Sequence, residues 1–307
     1  QFVVIKSKFI TDLFQKSLNN KDIKELKNNL IYYLAFRVLR SFLENDIILR
    51  IYNFKVFGSI NRNKTSYFLL KKCDFGDNHE LDIINKFSKK NKILFFDCGC
   101  NYGFYSFYVA SLSDENRIIA IEASKNTLGE FIKNLNLNNF KNIKFFNKAV
   151  SNSNNNNVIF NESKKDWESS LSHNQFTSYT KSNIQSAKID TFAESYNLND
   201  YLTIIKLDIE GNEMRAIEGS LDVIKKASPL IIIEFSKYIF NKKDNIKYFK
   251  NFLLRYEYSI YDTNYKKQNI ENILIKLSKL KKRFQTIGNF YLIKNSSKIL
   301  EEFLFYE

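Results

Sequence analysis

Two groups of residues in this 307-residue chain have the types and spacing of a ligand site. The first is Asp97, Gly99, Asn101 and Gly103, within FFDCGCNYGFYS (95–106). There an apolar run ends in an acid, and two of the chain's eight glycines follow, four residues apart. Glycine adopts positive φ at no steric cost and lets a backbone come close to a ligand. The second group is KLDIEGNE (206–213), which gathers Lys206, Asp208, Glu210 and Glu213 around one turn. Carboxylates so placed can favour a helix N-terminus, hold a divalent cation or remove a proton. Two further acids end apolar runs: Glu122 after RIIAI, twenty-five residues beyond Asp97, and Glu234 after PLIII. An acid at the end of the second strand of an open α/β sheet commonly takes the two hydroxyls of a ribose.

Such residues meet only if the strands that carry them end side by side. From about residue 78 the sequence alternates helix-like and strand-like stretches: HELDIINKF, KILFFD, GFYSFYVASL, RIIAIEA, NTLGEFIKNLNL and NIKFFNKAV (142–150). Residues 151–189 are irregular, a polar SNSNNNN loop with short β-like pieces VIF and SAKID. The alternation resumes with YLTIIKLDIEG (201–211), a helix over EMRAIEGSLDVIKKA, and PLIIIEFS (229–236), whose proline stands at the first position of its strand. A helix near 243–255, YEYSIYDT, the basic amphipathic NIENILIKLSKLKKRF (269–284) and a last strand NFYLIKN (289–295) complete the pattern. This rhythm predicts an α/β fold with a doubly wound, mostly parallel sheet and right-handed crossovers. Ligands of such sheets bind outside the carboxyl ends of the strands, where the strand order switches.

Composition sets the frame. Hydrophobic residues make up 44% and charged residues 26%, which excludes a disordered chain. We divide the chain into a mainly helical N-terminal extension, 1–75, and one domain, 76–307, with a basic helical insertion near 265–284. Residues 22–54 are unusually apolar and suit packing on the main domain or a homodimer contact. Three cysteines, with Cys98 and Cys100 too close to bridge without strain, point to reduced thiols, and the absence of a second pair argues against zinc. The longest apolar run, LIYYLAF (30–36), is far short of the ~18 residues of a membrane span. Lys6, Lys8, Asp12 and Lys16 interrupt any secretory h-region. The expected location is cytoplasmic, or peripheral to a membrane. Of the two histidines, His79 falls in a surface helix, and His173 follows the serine-rich WESSLSH loop, where it is a second candidate base.

The first loop reads D-x-G-x-N-x-G, not G-x-G-x-x-G. Phe104 and Tyr105 stand where a third glycine would, which disfavours a pyrophosphate cradle and suits an adenosine without phosphates, such as S-adenosylmethionine. FFDCGCNYGFYS, IAIEAS, NKAVSN, SAKIDTF and above all IIKLDIEGNEMRAIEGS with PLIIIEFS resemble the FkbM-type S-adenosylmethionine-dependent methyltransferases over roughly 76–236, with a weaker match at GNFYLIK. The resemblance implies a class I methyltransferase fold with a seven-stranded sheet, and O-methylation of a hydroxyl, in many members on a sugar. It implies that Asp97, Gly99, Asn101 and Gly103 form the cofactor loop, that Glu122 takes the ribose and that Ala149 stands near the adenine. Asp208 or Glu210 takes or orients the acceptor's proton. Glu213, which also supports the helix start, and Glu234 border the acceptor, and Ser169, Ser170 and His173 face it. No metal is assigned. The expected activity is methyl transfer to a carbohydrate or glycoconjugate. The net charge of +14, with Lys206, Asp208 and Glu234 at strand ends, keeps an RNA ribose 2'-O-methyltransferase as the rival reading, with a non-catalytic scaffold binding a partner through 1–75 as a third. The basic helix is read as a contact for an anionic surface, membrane or RNA.

Overall fold

The computed structural model describes residues 21–22, 47–58, 77–163, 179–282 and 285–304. A two-residue strand β1 (Lys21–Asp22) pairs with the hairpin β2 (Ile47–Ile51) and β3 (Phe54–Gly58) in a small sheet. This corrects the helical reading of 47–54. Leu49 and Ile51 on one strand and Phe54 and Val56 on the other are buried at a two-residue period, and Tyr52, at φ 50°, makes the turn. The remaining parts of 1–75, Cys73 among them, lie outside the described residues.

The hairpin packs on the main domain. The Phe54 ring lies 5.9 Å from Phe107, and Tyr52 meets Tyr108 edge-on at 4.9 Å. The outer edge of β3 is satisfied by side-chain amides: the N–H of Phe57 donates to Asn134 Oδ1, and the N–H of Lys55 to Asn138 Oδ1, each at 2.8 Å. Covering an edge in this way removes a template for pairing with another chain.

The main domain runs α1 (Asn78–Ser88), β4 (Ile93–Cys98), α2 (Phe104–Leu112), β5 (Arg117–Glu122), α3 (Lys125–Asn136), β6 (Ile143–Asn147), β7 (Ala149–Val150), β8 (Asn157–Ser163), β9 (Tyr179–Ala187), α4 (Ile189–Ala193) and β10 (Leu202–Leu207). It continues α5 (Glu213–Glu218), α6 (Leu221–Ala227), β11 (Leu230–Ser236), α7 (Lys237–Phe240), α8 (Lys243–Arg255), β12 (Tyr258–Tyr261), β13 (Lys267–Gln268), α9 (Ile270–Ser278), β14 (Thr286–Lys294) and α10 (Lys298–Leu304). Eight strands form the central sheet in the order β13-β12-β14-β11-β10-β4-β5-β6. β14 is antiparallel to β11 and β12, and the edge strand β13 is antiparallel to β12; β11, β10, β4, β5 and β6 pair in parallel. The doubly wound α/β architecture is therefore present, with the two-residue β13 added to the seven expected strands. The order reverses at β4, which pairs with β5 on one side and β10 on the other.

All six residues of β4 are buried. Phe95 packs into the cluster that holds α1, α2 and the N-terminal hairpin, while Leu94, Phe96 and Cys98 pack into the opposite one with β11, α7 and α8. Burial on both faces explains why the parallel strands read as continuous apolar runs. Three further boundaries differ from the sequence reading. NIKFFNKAV divides after Asn147, whose amide donates to the carbonyls of Glu122 and Ala123, and the chain then leaves for a separate sheet, β7-β9-β8. The helix after KLDIEGNE breaks at Gly219, where a Cβ would lie 2.1 Å from the carbonyl oxygen of Ser151. The basic helix stops at Ser278. Among the described residues, no helix is long and apolar enough to cross a membrane.

Candidate functional site

The ends of β4, β5, β10 and β11 surround a cavity of about 270 Å³. Its wall is built from two corners, and the first is the loop after β4. Gly99 has φ 79°, and a Cβ there would stand 1.9 Å from the carbonyl oxygen of Asp208. The glycine lets the first loop press on the turn after β10, which brings the two corners into one site. Gly103, at φ 89°, N-caps α2, and a Cβ on it would meet Phe107 at 2.6 Å and Phe131 at 2.7 Å. Its contacts are with core rings, and it does not line the cavity.

Asp97 is likewise beneath the site. Its Oδ2 accepts from Ser106 Oγ at 2.6 Å, while Oδ1 is buried without a hydrogen-bond partner among the described residues. Burial pushes its carboxyl up, and the Lys206 ammonium partly offsets this. Asn101 takes φ 51°, a conformation that asparagine tolerates better than most residues. Its N–H donates to Glu122 Oε2 at 3.0 Å, and the N–H of Ser124 donates to Oε1 at 2.9 Å. Glu122 is thus fixed at the end of β5 with lone pairs left for a ligand. Burial pushes its carboxyl up to about 7, against the pull of the backbone N–H groups of Ser124, Asn101 and Ala123. Asn101 Oδ1 is a buried acceptor with no hydrogen-bond partner among the described residues. Ala149 and Phe160 form an apolar wall with Ile184, packed against Ala123 and Val158. Phe160 comes from β8, inside the segment that the sequence reading left irregular. The fragment VIF was the signal available there.

The second corner is KLDIEGNE. Lys206, 4% exposed, gives an ion pair to Asp208 Oδ2 at 2.8 Å and lies 4.7 Å from the centre of the Tyr105 ring. Tyr105 donates to Asp77 Oδ2 at 3.0 Å. Burial works against the ammonium charge, but the carboxylates of Asp208, Asp97 and Asp77 outweigh it and raise its pKa. Asp208 and Glu210 line the cavity, with Glu210 at φ 52° in the turn. Glu213 does not line it. Its Oε1 accepts from the N–H groups of Ile209 at 3.3 Å and Gly211 at 3.1 Å, so it braces the turn from below. Asn212 ties the same turn to β7 through the carbonyl of Val150, at 2.6 Å. Glu234, from β11, faces the cavity and is pushed up to about 7 by burial and by the Asp208 charge.

The cavity therefore unites Gly99, Asn101, Glu122, Ala149, Asp208, Glu210 and Glu234. Asp97, Gly103 and Glu213 support it from outside its wall. Ser169, Ser170 and His173 lie outside the described residues. Lys148, Phe160 and Asn212 also line the wall and were not anticipated, and Lys206, noticed only as a strand-end residue, proves to be the counter-ion of the site. Among the described residues no group of three His, Cys, Asp or Glu is placed to hold a metal ion. Cys98 and Cys100 are buried free thiols, and burial raises the pKa of both.

The brace has a pH signature. Burial pushes Glu213 up to about 7 from an ordinary 4.5. The folded state then holds that proton more tightly, so the group's contribution to stability is complete below about pH 4.5 and is lost as pH rises through about 7. Urea unfolding across that interval should show Glu213→Gln losing less stability with rising pH than the wild-type protein does. Equal slopes would mean that Glu213 is solvated.

The methyltransferase FkbM domain model matches residues 97–260. No curated protein sequence matches the chain significantly. Among solved structures, the FkbM methyltransferase from Methylobacillus flagellatus KT is similar at 17% identity, over 87% of this chain and 60% of that one, with a TM-score of 0.40. This chain thus spans 60% of the length of that protein. M. jannaschii TYW2, in complex with AdoMet, is similar at 13% identity over 81% of this chain and 84% of that one, TM-score 0.39. An rRNA methylase from Streptococcus thermophilus is similar at 10% identity over 71% and 95%, TM-score 0.39. The domain match covers more than half of the chain and runs from Asp97 beneath the cavity, through Glu122, Asp208 and Glu234, to β12: the chain belongs to the FkbM methyltransferase family.

Proposed function

We propose that this protein is an S-adenosylmethionine-dependent O-methyltransferase acting on a hydroxyl of a carbohydrate or glycoconjugate. The residues present suit the cofactor. Glu122 offers acceptors for ribose hydroxyls, Asn101 Oδ1 offers one for the ammonium of an amino-acid tail, and Ala149 with Phe160 gives an apolar wall for a flat base. When bound, the cofactor supplies an electrophilic methyl group.

The observation that carries the reading is the convergence of Asp208, Glu210 and Glu234 on the cavity that Glu122 also lines. Carboxylates accept hydrogen bonds from sugar hydroxyls, and three of them beside the acceptor position oppose a phosphodiester backbone. Asp208 is held by Lys206 and is suited to orient a hydroxyl. Glu234, pushed up to about 7, is suited to take its proton near neutral pH. Positioning of this kind can supply ~7–11 kcal/mol of a barrier, and a general base ~10²–10⁴-fold.

Transfer from labelled S-adenosylmethionine onto glycan, lipid-linked glycan and RNA pools tests the acceptor. Label in the glycan pools is the expected result, and label confined to RNA ribose would replace this reading with the rival one. With an acceptor in hand, the rate should rise with pH through about 7, and Glu234→Gln should abolish that limb while leaving cofactor affinity intact. If Asp208→Asn abolishes it and Glu234→Gln does not, Asp208 is the base.

A further inference from the structure

Half of the chain's net charge lies in one stretch. Residues 242–282 carry eleven Lys and Arg against four Asp and Glu, a net +7 of the total +14. The stretch contains α8 and α9, which bury Phe249 and Phe252, and Ile273 and Leu277, in one core cluster. An ion pair between Lys250 and Glu271 ties the two helices together. Their other faces point to solvent. On α8 that face presents Lys243, Lys247 and Leu254; on α9 it presents Ile275 and Lys276, with Lys279 at its C-cap.

The two aliphatic residues stand clear of the core, Leu254 at 79% exposure and Ile275 at 53%. A lone exposed leucine is ordinary on a protein surface. Here two occur on helices joined by an ion pair, inside the most basic stretch of the chain. Nucleic-acid surfaces favour arginine forks and exposed aromatic rings for stacking. This stretch offers one exposed arginine, Arg255, and no exposed ring: ten of its eleven basic residues are lysines, and none of the aromatic side chains of 242–282 is exposed. Ammonium groups around aliphatic tips are instead the chemistry of an interface with anionic lipid.

The end of this stretch is tied to the strand that carries Glu234. The N–H of Lys237 donates to the carbonyl of Gln285 at 2.9 Å, and its ammonium to the carbonyl of Leu280 at 2.6 Å. Those bonds hold the lysine-bearing turn 279–282 against the end of β11, three residues beyond Glu234.

We propose that the outward face of α8 and α9 is a docking surface for an anionic phospholipid bilayer. The helices lie on the bilayer, with Leu254 and Ile275 in the headgroup region and the lysines on anionic lipid, and the rim of the cavity is held close to membrane-borne acceptors. The docking rests on this face alone and does not depend on which hydroxyl is methylated.

Flotation on vesicles of phosphatidylcholine with phosphatidylglycerol, and on phosphatidylcholine alone, tests it with the full chain. Binding is expected only to the mixed vesicles, and it should weaken as salt is added. Each lysine near such a surface contributes about fivefold to partitioning, so replacing Lys243, Lys247, Lys276 and Lys279 together by Gln should weaken binding at least about a hundredfold. The pair Leu254→Ser and Ile275→Ser should weaken it by about tenfold or more while keeping the charge. All the substituted side chains are exposed, and unchanged thermal melting would confirm the fold. Equal binding to neutral vesicles, or no vesicle binding, would overturn the proposal. So would Leu254 and Ile275 variants that bind like wild type, because that would make the face a bare electrostatic one. A single-stranded RNA that binds the wild type more tightly than the mixed vesicles, through the same lysines, would assign the face to nucleic acid.

Discussion

Lys206→Met is expected to cost about 3–5 kcal/mol of stability, the usual consequence of removing one partner from a buried charge cluster. The methionine nearly matches the length of the lysine stem, so packing against Tyr105 is largely retained and the charge is what is lost. Asp97, Asp77 and Asp208 then share a region that has lost its ammonium, and among the described residues Asp97 keeps only Ser106 Oγ as a side-chain donor. Asp97 and Asp77 already have raised carboxyl pKa values from burial, with Lys206 the main influence that lowers them. Without the ammonium they rise further and hold protons more tightly when folded. The loss should therefore be largest between neutral pH and the ordinary lysine value of 10.5, where the ammonium is charged folded and unfolded, and shrink as the pH falls and the carboxylates protonate. Urea unfolding of both proteins at several pH values measures this. A Lys206→Met variant within about 1 kcal/mol of wild type near pH 8 would show that the cluster is solvated.

What the sequence made legible follows from local rules. The parallel strands announce themselves because burial on both faces leaves no polar interruption, and the acids that end them, Glu122 and Glu234, stand out against apolar runs. The loop glycines were legible as special, but only part of the reason was. Gly99 lines the cavity and also clears the carbonyl of Asp208, while Gly103 clears the rings of Phe107 and Phe131. Contacts with residues far along the chain leave no trace in a spacing.

The same limit hid the Lys206 cluster, which joins α1, β4, α2 and β10. It hid Phe160 too, because a short strand among asparagines carries little periodicity. The N-terminal hairpin was misread because its apolar residues follow a long helix-like run, and a turn at Tyr52 without Gly or Pro gives no stop signal.

Glu122→Ala is the second large effect. The variant loses the acceptor for two backbone N–H groups, those of Asn101 and Ser124, at the entrance to α3. Buried donors left without partners cost about 1–3 kcal/mol each. The first loop should loosen, and on the proposed cofactor placement the ribose would lose its acceptor. Cofactor affinity should then fall at least about tenfold to a hundredfold, with the larger value if both effects add. Glu122→Gln, which keeps one acceptor oxygen, should fall between Glu122→Ala and wild type.

Calorimetric titration of S-adenosylhomocysteine into wild type and Glu122→Ala is the most direct test of the site. One ligand bound per chain, weakened at least about tenfold in the variant while the fold persists by circular dichroism, is the predicted result. Wild-type protein that takes up no ligand, or a variant that binds as tightly as wild type, would contradict the assignment of the cavity at the ends of β4 and β5 as the cofactor site.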